Sequence, residues 1–554
     1  MAFLTKLTTP IRAHRTLLLT IAGVSLALAA ACSAGNSSEL GGGSSSSSSN
    51  GSGGDGGLTM STGGGGSGFV GDPQTCEEAA ASRSYIGCDF WPTVTPNAVW
   101  SIFDYAVVVA NTGSNVVDVT VTRGGQPAGG AQIQPDSLQT IYLPWVQELK
   151  GPDADPMGVP SPLTGSALVA NGAYNLTTTF PVTVYQFNAL EYAPQGGPPG
   201  KNWNLCPADG IFTQCFSYSN DASLLLPSTA MTGNYRITGT MGWPSASIGS
   251  YVTLTGTADG TTVNIGLSPT AQILAGGGIQ AAGPGGSTNL NLNRGEVALL
   301  LGPANGDLSG SLISASAPIQ VLTGISCTQM PEGVQACDHV EESVFPAETL
   351  GQHYIVTMPT GPNGDTPGHW VRMYGNFDNT ALSYLGAAPP NAPTVLNAGD
   401  VVDLGVVQMD FEVQADQAFA VATWQLSAEL ADPNAMIEFQ KGDPAQSFAT
   451  AVEQYRDKYV FLAPTDYDVN YVDIIQPAGA SVSIDGQGTN VSAQPVGTSG
   501  YGIARVSLSP TTGGVHLLQA SAPVGIQVSG YGSYTSYYYP GGLNLKTIAP
   551  PPVK

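Results

Sequence analysis

Val252-Thr253-Leu254-Thr255-Gly256-Thr257-Ala258-Asp259-Gly260-Thr261-Thr262-Val263-Asn264-Ile265 places an apolar-rich limb, a turn and an alternating limb in one short run. Asp259-Gly260 supplies residues that accept the positive φ of a tight connection. The second limb alternates polar and apolar residues, which puts every second side chain on one face of a strand. The pattern predicts a β-hairpin. It recurs in 106–121 around Thr112-Gly113, in 371–385 around Asp378-Asn379 and in 472–484 around Ala478-Gly479. A second signature follows each copy, a proline opening an alternating strand: Phe180-Pro181-Val182-Thr183-Val184, Ala317-Pro318-Ile319-Gln320-Val321 and Ala522-Pro523-Val524-Gly525-Ile526. The third copy keeps only the alternation, Gln417-Ala418-Phe419-Ala420-Val421. Proline is tolerated where a strand begins, because no ladder donor is needed there.

Working outward, these copies divide the body into β-units at 73–193, 194–326, 327–428 and 429–554, behind a leader at 1–31 and a Ser/Gly-rich tether at 32–72. About seven short strands per ~100 residues suit an antiparallel β-sandwich. The predicted fold is all-β, tandem antiparallel β-sandwich-like repeats after a disordered tether, with a propeller-like arrangement of the repeats as the alternative. The first limbs begin at 106, 252, 371 and 472, that is 146, 119 and 101 residues apart, a spacing too irregular to favour a closed ring. Residues 428–455 carry the best helical spacing, limited to short turns by Pro433, Gly442 and Pro444. Composition agrees. The 554 residues include 71 glycines and 41 prolines with only 10% charged residues, which excludes helical bundles and coiled coils. A formal net charge of −24 argues against nucleic acid and against anionic lipid surfaces as partners.

Lys6, Arg12 and Arg15 precede an apolar run at 17–31, shorter than the ~18–20 residues that span a bilayer, so the segment reads as a secretory signal. It ends in Leu28-Ala29-Ala30-Ala31-Cys32, which resembles the lipobox of bacterial lipoproteins, although Ala29 stands where that motif has leucine. Cys32 is the expected lipidation site, and Ser33 after it favours, by the same resemblance, the outer membrane or cell surface. The following tract, with Ser44 to Ser49 and Gly63 to Gly66, cannot bury apolar surface and reads as a flexible tether. Six further cysteines allow fifteen connectivities, and their grouping makes neighbour pairing the simplest: Cys76 with Cys88, Cys206 with Cys215, Cys327 with Cys337. None has the C-x-x-C spacing of a structural zinc site.

Ser219-Asn220-Asp221-Ala222-Ser223-Leu224-Leu225-Leu226-Pro227, followed by Thr232-Gly233-Asn234-Tyr235-Arg236-Ile237, resembles the signature of the IgG-Fc-binding-protein amino-terminal domain family. Ser343-Val344-Phe345-Pro346 with Leu350-Gly351 and Tyr354-Ile355-Val356 resembles its second recurrence, and the similarity runs from about 75 to 534. The resemblance implies a non-catalytic, extracellular binding or adhesive module and carries no ligand-contacting residue with it.

Reactive chemistry is sparse. His339, His353, His369 and His516 are scattered without H-E-x-x-H, no G-x-S-x-G elbow or P-loop is met, and Gly276-Gly277-Gly278 lies between strands rather than opening a helix. Asp153 and Asp155, or Asp466, Asp468 and Asp473, could at most line a weak calcium loop, without EF-hand spacing. No cofactor or metal is implied. Tyr531, Tyr534, Tyr537, Tyr538 and Tyr539 are the candidate binding residues, since tyrosine rings stack on sugars or anchor protein contacts, while a strand packed on its own sheet is the competing account. The expected function is a lipid-anchored envelope protein that binds an extracellular protein or glycan. The alternatives are a secreted carbohydrate-active enzyme using two facing carboxylates and a passive envelope spacer. Alkylation of the unreduced chain followed by mass mapping is expected to find the six downstream sulfurs protected; free thiols at all six would overturn the exported reading.

Overall fold

The apolar limb of each repeated segment is buried on both faces, and this decides how the chain crosses the molecule. Ser250–Gly256 and Tyr105–Asn111 are buried at every residue, whereas the limbs after the turns, Thr261–Gly266 and Val117–Arg123, alternate. The two limbs do not pair. Ser250–Gly256 bonds to Val297–Leu301 and Ile319–Thr328, and Thr261–Gly266 bonds to Ser287–Leu292 and Leu312–Ala315. The four predicted hairpins are therefore arches that carry the chain from one layer of a sandwich to the other. Gly260 (φ 66°), Asn379 (φ 56°) and Gly479 (φ 84°) turn the chain as expected, because an arch needs the same left-handed residue as a hairpin.

The computed structural model describes residues 72–207, 215–509 and 514–552. The leader, Cys32 and the Ser/Gly tract to residue 71 lie outside the described residues. Four sheets each contribute four principal strands. The first holds β1 (Tyr105–Asn111), β2 (Ser137–Leu143), β3 (Asn175–Phe187) and β4 (Ala222–Leu225). The second holds β5 (Ser250–Gly256), β6 (Val297–Leu301), β7 (Ile319–Thr328) and β8 (Asp338–Ser343). The third holds β9 (His369–Gly375), β10 (Val401–Val407), β11 (Phe419–Trp424) and β12 (Gln446–Phe448). The fourth holds β13 (Val469–Pro477), β14 (Tyr501–Ser507), β15 (Val515–Gly532) and β16 (Thr535–Pro540). Their orders are β4-β3-β1-β2, β8-β7-β5-β6, β12-β11-β9-β10 and β16-β15-β13-β14, all antiparallel. A second, more exposed layer backs each sheet, and in the second unit the two layers close on a core that includes Val252, Leu254, Val263, Ile265, Ile313 and Val321.

The first-listed strands form the centre. β4 packs on β8, β8 on β12, β12 on β16 and β16 on β4, so the four sandwiches are blades of a four-bladed, propeller-like ring. The irregular sequence spacing that argued against closure is absorbed in connecting segments and does not alter the strands that close the ring. β3 and β15 each run through both layers of their blade, and Pro181 and Pro523 stand at the changeover, where a ladder donor is not required. One tyrosine device repeats in three blades. Tyr235, Tyr354 and Tyr459 accept the N–H of the residue three positions earlier (3.2, 3.1 and 3.1 Å) and donate to the carbonyls of Ile319, Phe419 and Val524 (2.7, 2.7 and 2.5 Å). Tyr235 and Tyr354 belong to the family-like stretches, which are thus pieces of blade architecture. The blade-four end of the ring is latched to blade one by Tyr85 N–H to Leu543 O (3.3 Å) and Leu545 N–H to Arg83 O (3.1 Å).

On the axis lies Asp221, fully buried. One carboxylate oxygen accepts the backbone N–H groups of Ala222 (2.9 Å) and Tyr538 (3.3 Å), the other those of Glu341 and Gln446 (3.0 Å each). These four donors occupy one register level, opposite Phe187, Ser529, Gly324 and Trp424, and each comes from a different blade. The disulfides Cys76–Cys88, Cys206–Cys215 and Cys327–Cys337 form, the last two beside the chain's entry to β4 and β8.

Asp221→Asn tests the axial clasp. However the amide turns, two backbone N–H groups then face an NH2, and at about 1–3 kcal/mol per orphaned buried donor the ring should lose about 2–6 kcal/mol. Thermal unfolding followed by circular dichroism should show the midpoint fall by several degrees, and a midpoint within a degree of the parent would refute the clasp.

Candidate functional site

Antiparallel pairing sends all four connections between the two innermost strands of each blade to the same end of the ring. These are residues 188–221, 329–337, 425–445 and 533–534. They surround an axial cavity of about 480 Å³. Phe216 and Ser219 come from the first connection, Gln335 and Cys337, the latter bridged to Cys327 on β7, from the second, Asp443 from the third and Tyr534 from the fourth, while Trp100 and Met157 reach in from blade one. Tyr218 (φ 47°) and Tyr534 (φ 54°) line this cavity in the left-handed region, a conformation that costs a bulky residue free energy of order 1–3 kcal/mol and persists only where surroundings enforce it.

Acids crowd the axis beneath the cavity, in different hydrogen-bonding states. Glu341 accepts from Thr95 Oγ1 (2.5 Å), Gln186 Nε2 (3.0 Å), Asn188 Nδ2 (3.1 Å) and Ser223 Oγ (3.0 Å), with His339 Nε2 at 3.5 Å. Burial pushes its carboxyl up, but His339 and these donors outweigh burial and hold it below the usual range. Asp338 accepts from the His339 N–H (2.7 Å), Thr535 Oγ1 (3.0 Å) and the Ser536 N–H (3.4 Å). Burial, then the neighbouring Asp443 and Asp221, raise it. Asp443 differs. It is 1% exposed and lines the cavity, and among the described residues no donor reaches either carboxylate oxygen. Burial alone drives its carboxyl well above the usual range.

Large apolar side chains are exposed on the same loops and beside them: Met157, Val159, Leu205, Met436, Ile437 and Phe439. Met157 and Val159 lie on the blade-one segment that caps the cavity, Leu205 on the first connection and the other three on the third. Tyr534 joins cavity and crown, since its N–H donates to Gln440 O (3.3 Å) and its hydroxyl to Ile437 O.

The tyrosine expectation is mostly corrected. Tyr537, Tyr538 and Tyr539 lie on β16 at the centre of the ring and Tyr531 on β15, all buried. Their rings pack inward, Tyr539 tilted against Tyr185 (4.9 Å) and Tyr537 edge-on to Tyr467 (4.9 Å), so they present no binding face. Only Tyr534 reaches the cavity. The calcium-loop candidates are engaged within the fold: Asp153 with Lys150 (2.7 Å), Asp155 with its own loop, Asp466 with the Tyr192 N–H (2.8 Å), Asp468 with Lys441 (3.3 Å) and Asp473 with Thr360. Among the described residues no group of three or more His, Cys, Asp or Glu is placed to hold a metal. His353 pairs with Glu412 (2.7 Å), His516 with Asp485 (2.8 Å), and buried His369 is pushed down to about 3 by its desolvation. A second cavity brings Glu191 and Asp466 together, with Glu191 pushed up to about 8 by burial and the nearby Asp104. There Lys201 Nζ (3.0 Å) and the Asp104 N–H (2.7 Å) occupy Glu191.

The family model described as IgGFc binding protein matches residues 221–530, more than half of the chain. Its first matched residue is the axial aspartate. The chain is 26% identical over 249 residues to the IgGFc-binding protein of Homo sapiens, an alignment that covers 44% of this chain and 4% of that protein's length. Among solved structures, an anti-sigma factor domain-containing protein from Clostridium clariflavum is 14% identical over 57% of this chain and 83% of its own, with a TM-score of 0.11, too low to carry an inference about fold.

Asp443 generates a prediction whose sign follows from its burial. In the folded ring it holds its proton above the ordinary value of 3.8, whereas the unfolded chain releases it there. The folded state is therefore favoured most below that pH and loses ground as pH rises toward the raised value. Asp443→Asn cannot ionise, so its midpoint relative to the parent should rise between pH 4 and pH 8, by about 1–3 °C, in thermal melts. A difference that stays flat across that range would show that Asp443 is not an unpaired buried acid.

Proposed function

Because this chain belongs to the IgGFc-binding protein family, we propose that it is a non-catalytic recognition module whose loops around the axial cavity grip an extracellular protein. The observation that carries this reading is the crown: six of the ten large apolar side chains exposed among the described residues stand on the segments that run to the cavity end of the ring, with Met157 in the cavity wall. Clustered exposed apolar surface beside a cavity is a mark of interaction sites rather than of ordinary protein surface. The relative's name mentions immunoglobulin Fc, and protein binding is all that is taken from it. The non-catalytic part rests on the engagement of the acids beside the second cavity, where Lys201 and a backbone donor hold Glu191. Display on the bacterial envelope through lipidated Cys32 and the Ser/Gly tether is part of the same proposal, supported by the export signal and by three disulfides of the kind that persist outside the cytosol.

Biolayer interferometry on the immobilised full chain, with purified immunoglobulin Fc, mucins and their deglycosylated forms as analytes, tests the reading. Saturable binding to a protein, weakened at least tenfold (about 1.4 kcal/mol) by Phe439→Asp or Met157→Asp at unchanged melting midpoint, supports it. No saturable binding, binding lost on deglycosylation, binding indifferent to both substitutions, or glycan hydrolysis abolished by Glu191→Gln would each overturn it.

A further inference from the structure

We infer that the axial cavity receives a cationic side chain, an arginine or lysine presented by the partner protein, with Asp443 as its counter-charge. This rests on the recognition reading and names what that site takes. The first ground is the isolation of Asp443. A buried carboxylate is normally paired or fully hydrogen-bonded, and Asp221 and Glu341 a short way along the same axis obey that rule. Asp443 alone of the three has both oxygens without a donor among the described residues, and it lines an open cavity. Its sequence neighbour Lys441 does not supply the missing partner, because its Nζ pairs with Asp468 (3.3 Å).

The walls are the second ground. Trp100, Phe216 and Tyr534 line the same space, and aromatic faces attract ammonium and guanidinium groups through the ring quadrupole while packing on their apolar stems. The two left-handed tyrosines, Tyr218 and Tyr534, are held in costly conformations at this rim, as expected where a fold fixes side chains for recognition. A metal ion fits poorly, since the hard cations that carboxylates hold need six or more oxygen ligands and the cavity wall offers one carboxylate. At about 480 Å³ the space admits a long side chain together with its neighbouring residues, and the crown would cover the apolar surface flanking it. A chain with formal net charge −24 also draws basic partners from a distance.

The test uses two peptide probes on the full chain, acetyl-Leu-Arg-Leu-amide and its citrulline counterpart, which matches arginine in shape without the charge. Titration is followed by isothermal calorimetry and by tryptophan fluorescence, because Trp100 stands in the cavity wall. The arginine peptide should bind saturably and at least tenfold more tightly than the citrulline peptide, and Asp443→Asn should erase the difference. Equal binding of the two peptides by the unmodified chain, a comparison that needs no variant to fold, would overturn the inference, as would a folded Asp443→Asn that keeps the preference. If the peptides bind alike while crown substitutions still abolish protein binding, the cation pocket fails and the recognition face stands. If the arginine preference holds but no protein responds to the crown substitutions, the recognition reading fails instead.

Discussion

Four antiparallel sheets cannot meet around an axis unless something satisfies the backbone N–H groups of their innermost strands, which have no further strand to pair with. At one level of the ring a single carboxylate does so for all four strands, and Glu342 and Asp338 take the further N–H groups of Leu224 and Ser536. Asp221 takes one N–H from each blade, two on each oxygen. A carboxylate offers about four acceptor sites and no donor, so its capacity equals the number of blades. The penalty for burying the acid is set against four otherwise orphaned donors, each costly to leave unmet. Burial outweighs the hydrogen bonds from Gln446, Glu341 and Ala222 and, with the neighbouring Glu341 charge, holds the Asp221 carboxyl well above the usual range. The same level of the ring carries Ala222, Glu341, Gln446 and Tyr538, four side chains of different size, so the clasp depends on backbone geometry and leaves the residue types around it free.

Strand content and repetition were legible because alternation and turn residues are local properties. The tyrosine device was legible in part, since Tyr235 and Tyr354 stand in the stretches that carry the family resemblance. The sheet to which each strand belongs was not. Gly260 and Asn379 permit a hairpin and an arch equally, and the difference lies in whether Ser250–Gly256 bonds to Thr261–Gly266 or to strands much farther along the chain. One signal was present: the first limbs are nearly continuous in small and apolar residues, Ala106-Val107-Val108-Val109-Ala110 above all, the mark of a strand covered on both faces. Closure was hidden for a related reason. Spacing between repeats measures connection length, and connections of very different length, such as 188–221 and 533–534, feed equivalent positions in the ring.

The candidate site was less legible than the fold. A run of tyrosines reads alike whether it lines a groove or fills an axis, and the register of β16 decides for the axis in all but Tyr534. Asp443 sat in a stretch that read as broken helix, between the breakers Gly442 and Pro444, and nothing local marks an acid that ends up buried without a donor among the described residues. Asp221 lay in plain view at the head of Asp221-Ala222-Ser223-Leu224-Leu225, yet its role depends on N–H groups that are 120, 225 and 317 residues away at 341, 446 and 538 in the sequence.

The two aspartates divide the labour of the axis. With the ring closed below by Asp221, the connections above it no longer have to hold the blades together, and their length and composition are free to serve contact with another molecule. That freedom accounts for what gathers there: exposed Met436, Ile437 and Phe439 on one loop, Leu205 on another, tyrosines held at positive φ, and an acid without a donor among the described residues. A fold that supplies four donors to one buried carboxylate has the means to satisfy a second. Asp443, at the wall of an open cavity and without a donor among the described residues, is the acid that the proposed partner's cation would complete, at a rim already shaped before the partner arrives.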